Sequence, residues 1–182
     1  SGKLIWKARL FSGNLTNQID EWDFHHSSPL IHQEIVYVGT EKGSMLGYDW
    51  NSGKQVFRTQ TEEQDPIRTT PVIQKDRIFF GSWEGVFYCY DLKSRQQLWR
   101  YDTKIRRKIK YWKSVIHGKP VFYKNTVIFT GRIGWIFALN IDTGTEVWIA
   151  DKLYSTWTVG GPVLSGDTLY VGSSNSYTIQ AI

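Results

Sequence analysis

Apolar and polar residues alternate with a period of two along most of this chain, in runs of three to six bounded by Gly, Asn, Asp or Pro. That alternation predicts half-buried strands, and no window of useful length carries a helical period. Four segments align. They are "SSPLIHQEIVYVGTEKGSMLGYDWNSGKQVF" (27–57), "TTPVIQKDRIFFGSWEGVFYCYDLKSRQQLW" (69–99), "GKPVFYKNTVIFTGRIGWIFALNIDTGTEVW" (118–148) and "GGPVLSGDTLYVGSSNSYTIQAI" (160–182). Each begins with small or polar residues, a proline and two apolar positions. A polar turn, a strand ending near Gly, a second turn and another strand follow. The first three continue through Asp or Asn, a third turn, and a last strand ending in Phe or Trp.

Each repeat thus reads as four strands joined by hairpin turns. "HQE", "QKD", "YKN" and "SGD" supply the first turn, and "EKG", "WEG" and "RIG" the second. Asp49, Asp91 and Asn140 recur before the third turn, where an Asx side chain caps its own backbone. Pro29, Pro71, Pro120 and Pro162 open the first strands, where a missing N–H costs little. Repeats of roughly 40–50 residues built of four strands are propeller blades. The expected fold is therefore all-β: a four-bladed propeller of four-stranded antiparallel blades, one domain over residues 1–182. Its blades begin near residues 27, 69, 118 and 160.

The fourth repeat stops at its third strand. "SGKLIW" (1–6) matches "SGKQVF" (52–57) and "TGTEVW" (143–148), the missing turn and last strand. The expectation is that the N-terminal strand pairs with the C-terminal blade and closes the ring, removing an exposed edge. The same phase also suits a piece of a longer propeller, or two chains sharing a larger ring.

These repeats resemble the PQQ-like β-propeller family. "VYVGTEKG" (36–43), "IFALNIDTGTEVW" (136–148) and "LYVGSS" (169–174) carry the likeness across nearly the whole chain. The resemblance implies a choice. Some members are quinoprotein dehydrogenases, usually eight-bladed, which hold the quinone with adjacent cysteines, a stacking Trp and a calcium ion. Others are non-catalytic scaffolds of outer-membrane assembly, or luminal and extracytoplasmic sensors. The resemblance alone favours a periplasmic or extracytoplasmic location.

Composition narrows this choice. Cys89 is the only cysteine, so the adjacent pair is missing, and neither a disulfide nor a cysteine-based zinc site can form within the chain. It lies in an apolar strand pattern and is expected to be buried. No apolar run approaches the roughly 18 residues of a membrane helix. No nucleophile elbow, phosphate-binding glycine loop or HExxH helix occurs. No catalytic residue, metal site or cofactor is therefore assigned.

Charge is unevenly placed. The first 91 residues carry nine Lys or Arg against twelve Asp or Glu, and the last 91 carry thirteen against five. "KIRRKIKYWK" (104–113) concentrates this in one interblade connection, with Arg106, Arg107, Lys108 and Lys110 beside Trp112. It suits an acidic protein or an anionic ligand or surface. Nucleic acid would need several such elements on one face.

Trp22, Trp112 and Trp157 precede first strands, Trp83 sits in the second turn of its repeat, and Arg132 occupies the corresponding turn of the next. In the expected fold these face one side of the ring. Trp6, Trp99 and Trp148, with Phe57, end fourth strands and are expected to pack between blades, and Trp135 to plug the channel. The "DEWDFHH" stretch (20–26) reads as polar loop, and His32 and His117 as isolated.

The functional expectation is a non-enzymatic binding or scaffold module that meets a protein partner through its loop face. Trp22, Trp83, Arg106, Arg107, Lys108, Lys110, Trp112, Arg132 and Trp157 are the candidate contacts. The alternatives are a quinoprotein-type dehydrogenase, or a fragment of one, and an anionic-surface binder acting through residues 104–113.

Overall fold

The computed structural model describes residues 2–10, 27–106, 115–132, 134–150, 158, 160–173 and 177–182. All its sheets are antiparallel meanders. Blade one is β1 (Leu30–His32), β2 (Ile35–Gly39), β3 (Ser44–Asp49) and β4 (Gln55–Gln60). Blade two is β5 (Val72–Gln74), β6 (Arg77–Gly81), β7 (Val86–Asp91) and β8 (Gln97–Asp102). Blade three is β9 (Ile116–Tyr123), β10 (Thr126–Gly131), β11 (Ile136–Asn140) and β12 (Glu146–Ala150). Blade four has three strands, β13 (Val163–Ser165), β14 (Thr168–Ser173) and β15 (Thr178–Ala181).

The turn chemistry follows the sequence. Gln33–Glu34 and Lys75–Asp76 all take positive φ, the geometry that closes a two-residue hairpin with the sheet's own twist. At the third turns, Asp49 Oδ1 accepts from the Ser52 N–H at 2.7 Å and Asp91 Oδ1 from the Ser94 N–H at 2.6 Å. Asn140 Oδ1 accepts from the Asp142 N–H at 2.8 Å. These Asx residues are turn formers. Gly53 and Gly144 supply the left-handed residue of that turn, whereas blade two uses Arg95, at φ 62°, and ties its guanidinium to the Val56 carbonyl.

Alternation sends neighbouring side chains to opposite faces, and both faces of the middle blades are buried. Phe79, Phe87 and Cys89 point from blade two toward Phe129, Phe137 and Leu139 of blade three. Ile78, Phe80, Tyr88 and Tyr90 point the other way, onto Tyr37, Met45 and Phe57 of blade one. Ile128, Ile136 and Ala138 of blade three meet Leu169 and Val171 of blade four. The four first strands surround a cavity of about 670 Å³, walled by Leu30, Val72, Phe122 and Leu164 among others. One residue set from every blade thus lines a single axis, as in a four-bladed propeller.

Two expectations are corrected here. The fourth sheet has three strands, and residues 2–9 are not a strand, so the expected pairing of the N-terminal segment with the last blade is not formed. A single side chain makes the contact instead. Trp6 Nε1 donates to the Trp50 carbonyl at 2.7 Å, and the indole covers Gly53 and stacks on Tyr48. Trp99 does the same between blades two and three, with Nε1 donating to the Ile141 carbonyl at 3.1 Å and the ring covering Gly144. Trp6 therefore takes the position of a blade's last tryptophan while its flanking backbone stays solvated, with Leu4 and Ile5 exposed. The second correction is Trp135. It stacks on Phe137 in the packing between blades two and three, and no tryptophan is among the described residues that line the axial cavity.

Candidate functional site

Second turns and interblade links lie at the same end of the blades, which forms the loop face. Each described second turn is closed by the same bond: Gly43 N–H to the Thr40 carbonyl, Gly85 to Ser82, Gly134 to Gly131, at 3.0–3.2 Å. Glu41, Trp83 and Arg132 each follow the acceptor residue and so hold one equivalent position in successive blades. The links are tied to these turns: the Trp83 N–H donates to the Pro66 carbonyl and the Arg132 N–H to the Val115 carbonyl, both at 2.8 Å. Arg68 and His117, three residues before Pro71 and Pro120, are thereby held between turns of adjacent blades.

The five side chains form a continuous arc. Arg68 donates from Nε and Nη2 to the Glu41 carboxylate at 3.0–3.2 Å. Both partners of this ion pair are largely buried, with side chains 5% and 12% exposed. The Arg68 guanidinium lies 3.9 Å from the Trp83 ring centroid. His117, itself buried, meets the same indole edge-on at 5.4 Å. The Arg132 guanidinium stands 5.9 Å from it. Trp83 is thus the hub of the arc, half-buried and flanked by two guanidiniums and an imidazole. A desolvated cation–π contact stabilises by about 2 kcal/mol, and stacking fixes the guanidinium plane.

Beside the arc lies a polar cavity of about 210 Å³, walled by Glu62, Asp65, Glu84, Arg100, Asp102 and Lys104. Its charges pair internally, Arg100 with Glu62 at 2.9 Å and Lys104 with Glu84 at 3.6 Å. Asp65 is buried and receives the Glu84 N–H on both carboxylate oxygens at 2.9–3.0 Å. Burial pushes its carboxyl above the ordinary value, against the opposing hydrogen bonds from Ser82 and Glu84. This carboxylate clamps the link to the second turn of blade two.

Of the residues expected to bind, Trp83 and Arg132 come together at the hub. Trp22, Arg107, Lys108, Lys110, Trp112 and Trp157 lie outside the described residues, as does the 20–26 stretch. Arg106 ends a short 3-10 turn, Thr103–Arg106. Glu41, Arg68 and His117 were not singled out from sequence, and His117 was read as isolated. The signal was in the repeat: their offsets from Pro71, Pro120 and the turn glycines match one another.

The whole chain, residues 1–182, matches the family model described as outer membrane protein assembly factor BamB. The chain belongs to the BamB-like family of PQQ-type propellers. A solved BamB from Moraxella catarrhalis is 21% identical, with a TM-score of 0.70 over 86% of this chain and 46% of that one. The computationally designed Ika4 protein is 17% identical, with a TM-score of 0.66 over 87% of this chain and 92% of that one. Quinohemoprotein alcohol dehydrogenase from Comamonas testosteroni is 17% identical, with a TM-score of 0.70 over 82% and 29%. These likenesses show the fold, and this chain spans less than half the length of that BamB. No curated protein matches it.

The quinone-and-calcium group implied for the dehydrogenases does not fit the residues seen. Cys89 is buried inside β7 between blades two and three, its thiol pushed up to about 12 by burial. The described residues contain no group of three His, Cys, Asp or Glu able to hold a metal ion.

Proposed function

We propose that this chain is a non-enzymatic protein-binding module of the assembly-factor kind, and that it docks its partner on the loop face. The observation that carries this reading is the Glu41–Arg68–Trp83–His117–Arg132 arc. The Glu41–Arg68 ion pair and the ring contacts around Trp83 join three blades, so these side chains are held in place before anything binds. Rigid, half-buried aromatic and arginine side chains recur at the energetic centres of protein interfaces, because they bury area with little loss of conformational entropy. Membership of a family described as an outer membrane protein assembly factor supports the same reading.

The test is to select peptides on the immobilised chain from a random displayed library and map them by hydrogen exchange. The expected result is protection of the amides at 40–43, 67–69, 82–85 and 115–117. Protection of the opposite turns at 49–53, 91–95 and 140–144, or no selected peptide, would overturn the proposal.

A further inference from the structure

The polar cavity beside the arc contains a buried side chain whose bonding is incomplete. Tyr88 is 1% exposed, stacks on Phe80 and forms part of the cavity wall. Tyr90, two residues along the same face of β7, gives its hydroxyl to the Gln60 carbonyl at 2.9 Å. The Tyr88 hydroxyl has no hydrogen-bond partner among the described residues. It faces the cavity charges. Burial raises its pKa most, and the Asp65 and Glu62 carboxylates raise it further against Arg100, all three being groups of the same wall. A buried hydroxyl without a partner marks a place where a ligand atom or a fixed water belongs.

The charges around it do not balance. The two cations of the wall are taken up by Glu62 and Glu84, which leaves Asp65 and Asp102 without an ion pair among the described residues. Asp102 accepts only the Lys104 N–H, on Oδ1 at 2.8 Å. The described residues contain no group of three metal ligands, so the cation that fits is an organic one. Resting on the loop-face reading above, we infer that this cavity receives the ammonium group of a lysine side chain presented by the protein partner, held by Tyr88, Asp65 and Asp102. These acceptors come from three places, the interblade link, β7 and the end of β8. An ammonium has three rotatable donors and can serve acceptors spread around it, whereas a guanidinium offers a planar fork suited to one carboxylate. A cavity of about 210 Å³ has the volume of about seven water molecules, room for a slim alkyl stem beside Val86.

The probe is a fluorescein-labelled octapeptide of alternating lysine and serine, amidated at its C-terminus, compared by anisotropy with its Nε-acetyl-lysine and arginine counterparts. The chain carries a net charge of +5, so overall attraction does not favour a cationic peptide. The intact chain is expected to bind the lysine peptide about tenfold more tightly than either counterpart, through charge-assisted bonds. Tyr88→Phe, which removes only the hydroxyl, should erase most of that preference and keep the parent's denaturant midpoint. Asp102→Asn should also erase most of it. Asp76→Asn changes net charge equally from the exposed first turn at the opposite end of blade two, and should leave the preference intact. If Asp102→Asn fails to fold, Tyr88→Phe decides. Lysine peptide that fails to bind, or binds no more tightly than either counterpart, would overturn the inference. So would a preference unchanged in Tyr88→Phe, a clear fall in that variant's midpoint, or an equal loss on Asp76→Asn. Binding of free cadaverine with the same dependence on Tyr88, in place of the peptide, would overturn the lysine assignment in favour of a small amine. Selected peptides that protect the loop face but carry no lysine would sink this inference while leaving the loop-face reading intact.

Discussion

Blades two and four are written in the same alternating pattern, yet they are held very differently. In blade two, Phe79, Phe87 and Cys89 are fully buried against blade three, and Ile78, Phe80 and Tyr88 against blade one. Phe87 and Phe129 stack face to face across the interface at 4.0 Å. In blade four, Leu169 and Val171 reach blade three, but Val163 is 62% exposed and Ile179 75%. The difference is one of neighbours rather than of strand propensity. A blade has no core of its own, and its apolar faces are buried only where adjacent blades supply matching faces. The loop-face arc follows the same gradient, since all its members belong to blades one to three.

The largest effect should come from breaking the well-packed side. Phe129→Ala is expected to cost about 3–5 kcal/mol in urea unfolding, as a large aromatic removed from a closed interface leaves a cavity. Ile179→Ala should stay within about 0.5 kcal/mol. Equal costs would mean that blade four is as deeply packed as the interface between blades two and three.

Next comes the matched tryptophan pair. Trp99→Ala should cost about 3–5 kcal/mol, since that indole is 9% exposed and donates to the Ile141 carbonyl. Trp6→Ala should cost about 1 kcal/mol, because the flanking residues are solvated. Both are read from denaturant midpoints. A Trp6 effect as large as that of Trp99 would show that the N-terminal segment locks the ring as firmly as an ordinary blade strand.

Gly118 tests the join between blades three and four. Its φ is +70°, and an added Cβ would stand 2.1 Å from the Gly161 nitrogen, a backbone atom that cannot swing away. Gly118→Ala is expected to cost about 1–3 kcal/mol through strain at that position. Hydrogen exchange should accelerate in β13–β15 while β5–β8 keep their protection. Uniform acceleration would mean that the blades unfold as one unit.

The smallest effect separates the two ends of the blades by pH. Burial raises the folded-state value of Asp65, so it binds its proton more tightly folded than unfolded. Its contribution to stability is fully present below the ordinary value of 3.8 and is lost as pH rises through the folded value. The turn residue Asp49 behaves oppositely. The Ser52 hydroxyl and N–H hold its carboxyl below the ordinary range, so its contribution is lost as pH falls. The stability of Asp65→Asn relative to the parent chain should therefore increase with pH from about 3.8 upward and then level off. A difference that is flat with pH would mean that Asp65 is better solvated than its burial indicates.

The strands and turns were legible because their causes are local. Proline at a first strand, Asx before a third turn and positive-φ residues between strands each act within a few residues. The closure was legible only in part. "SGKLIW" matches a fourth strand and Trp6 occupies the expected seat, but pairing needs partners on both sides, and motif similarity does not supply them. Within the loop-face arc, Trp83 and Arg132 stood out as an aromatic and a cation in turns. Arg68 and His117 did not, because each is ordinary in its own link and becomes part of an arc only when the blades stand side by side.

The chain alone determined the run of strands, the places of the turns and the four repeats. A period of two and a recurring turn code leave little else open. Only the tertiary structure decided which faces are covered, that Trp6 docks by its ring and not by its backbone, and that Glu41, Arg68, Trp83, His117 and Arg132 meet. Those contacts join residues of different blades, some 90 positions apart from end to end. Their energies depend on distances that no local pattern encodes.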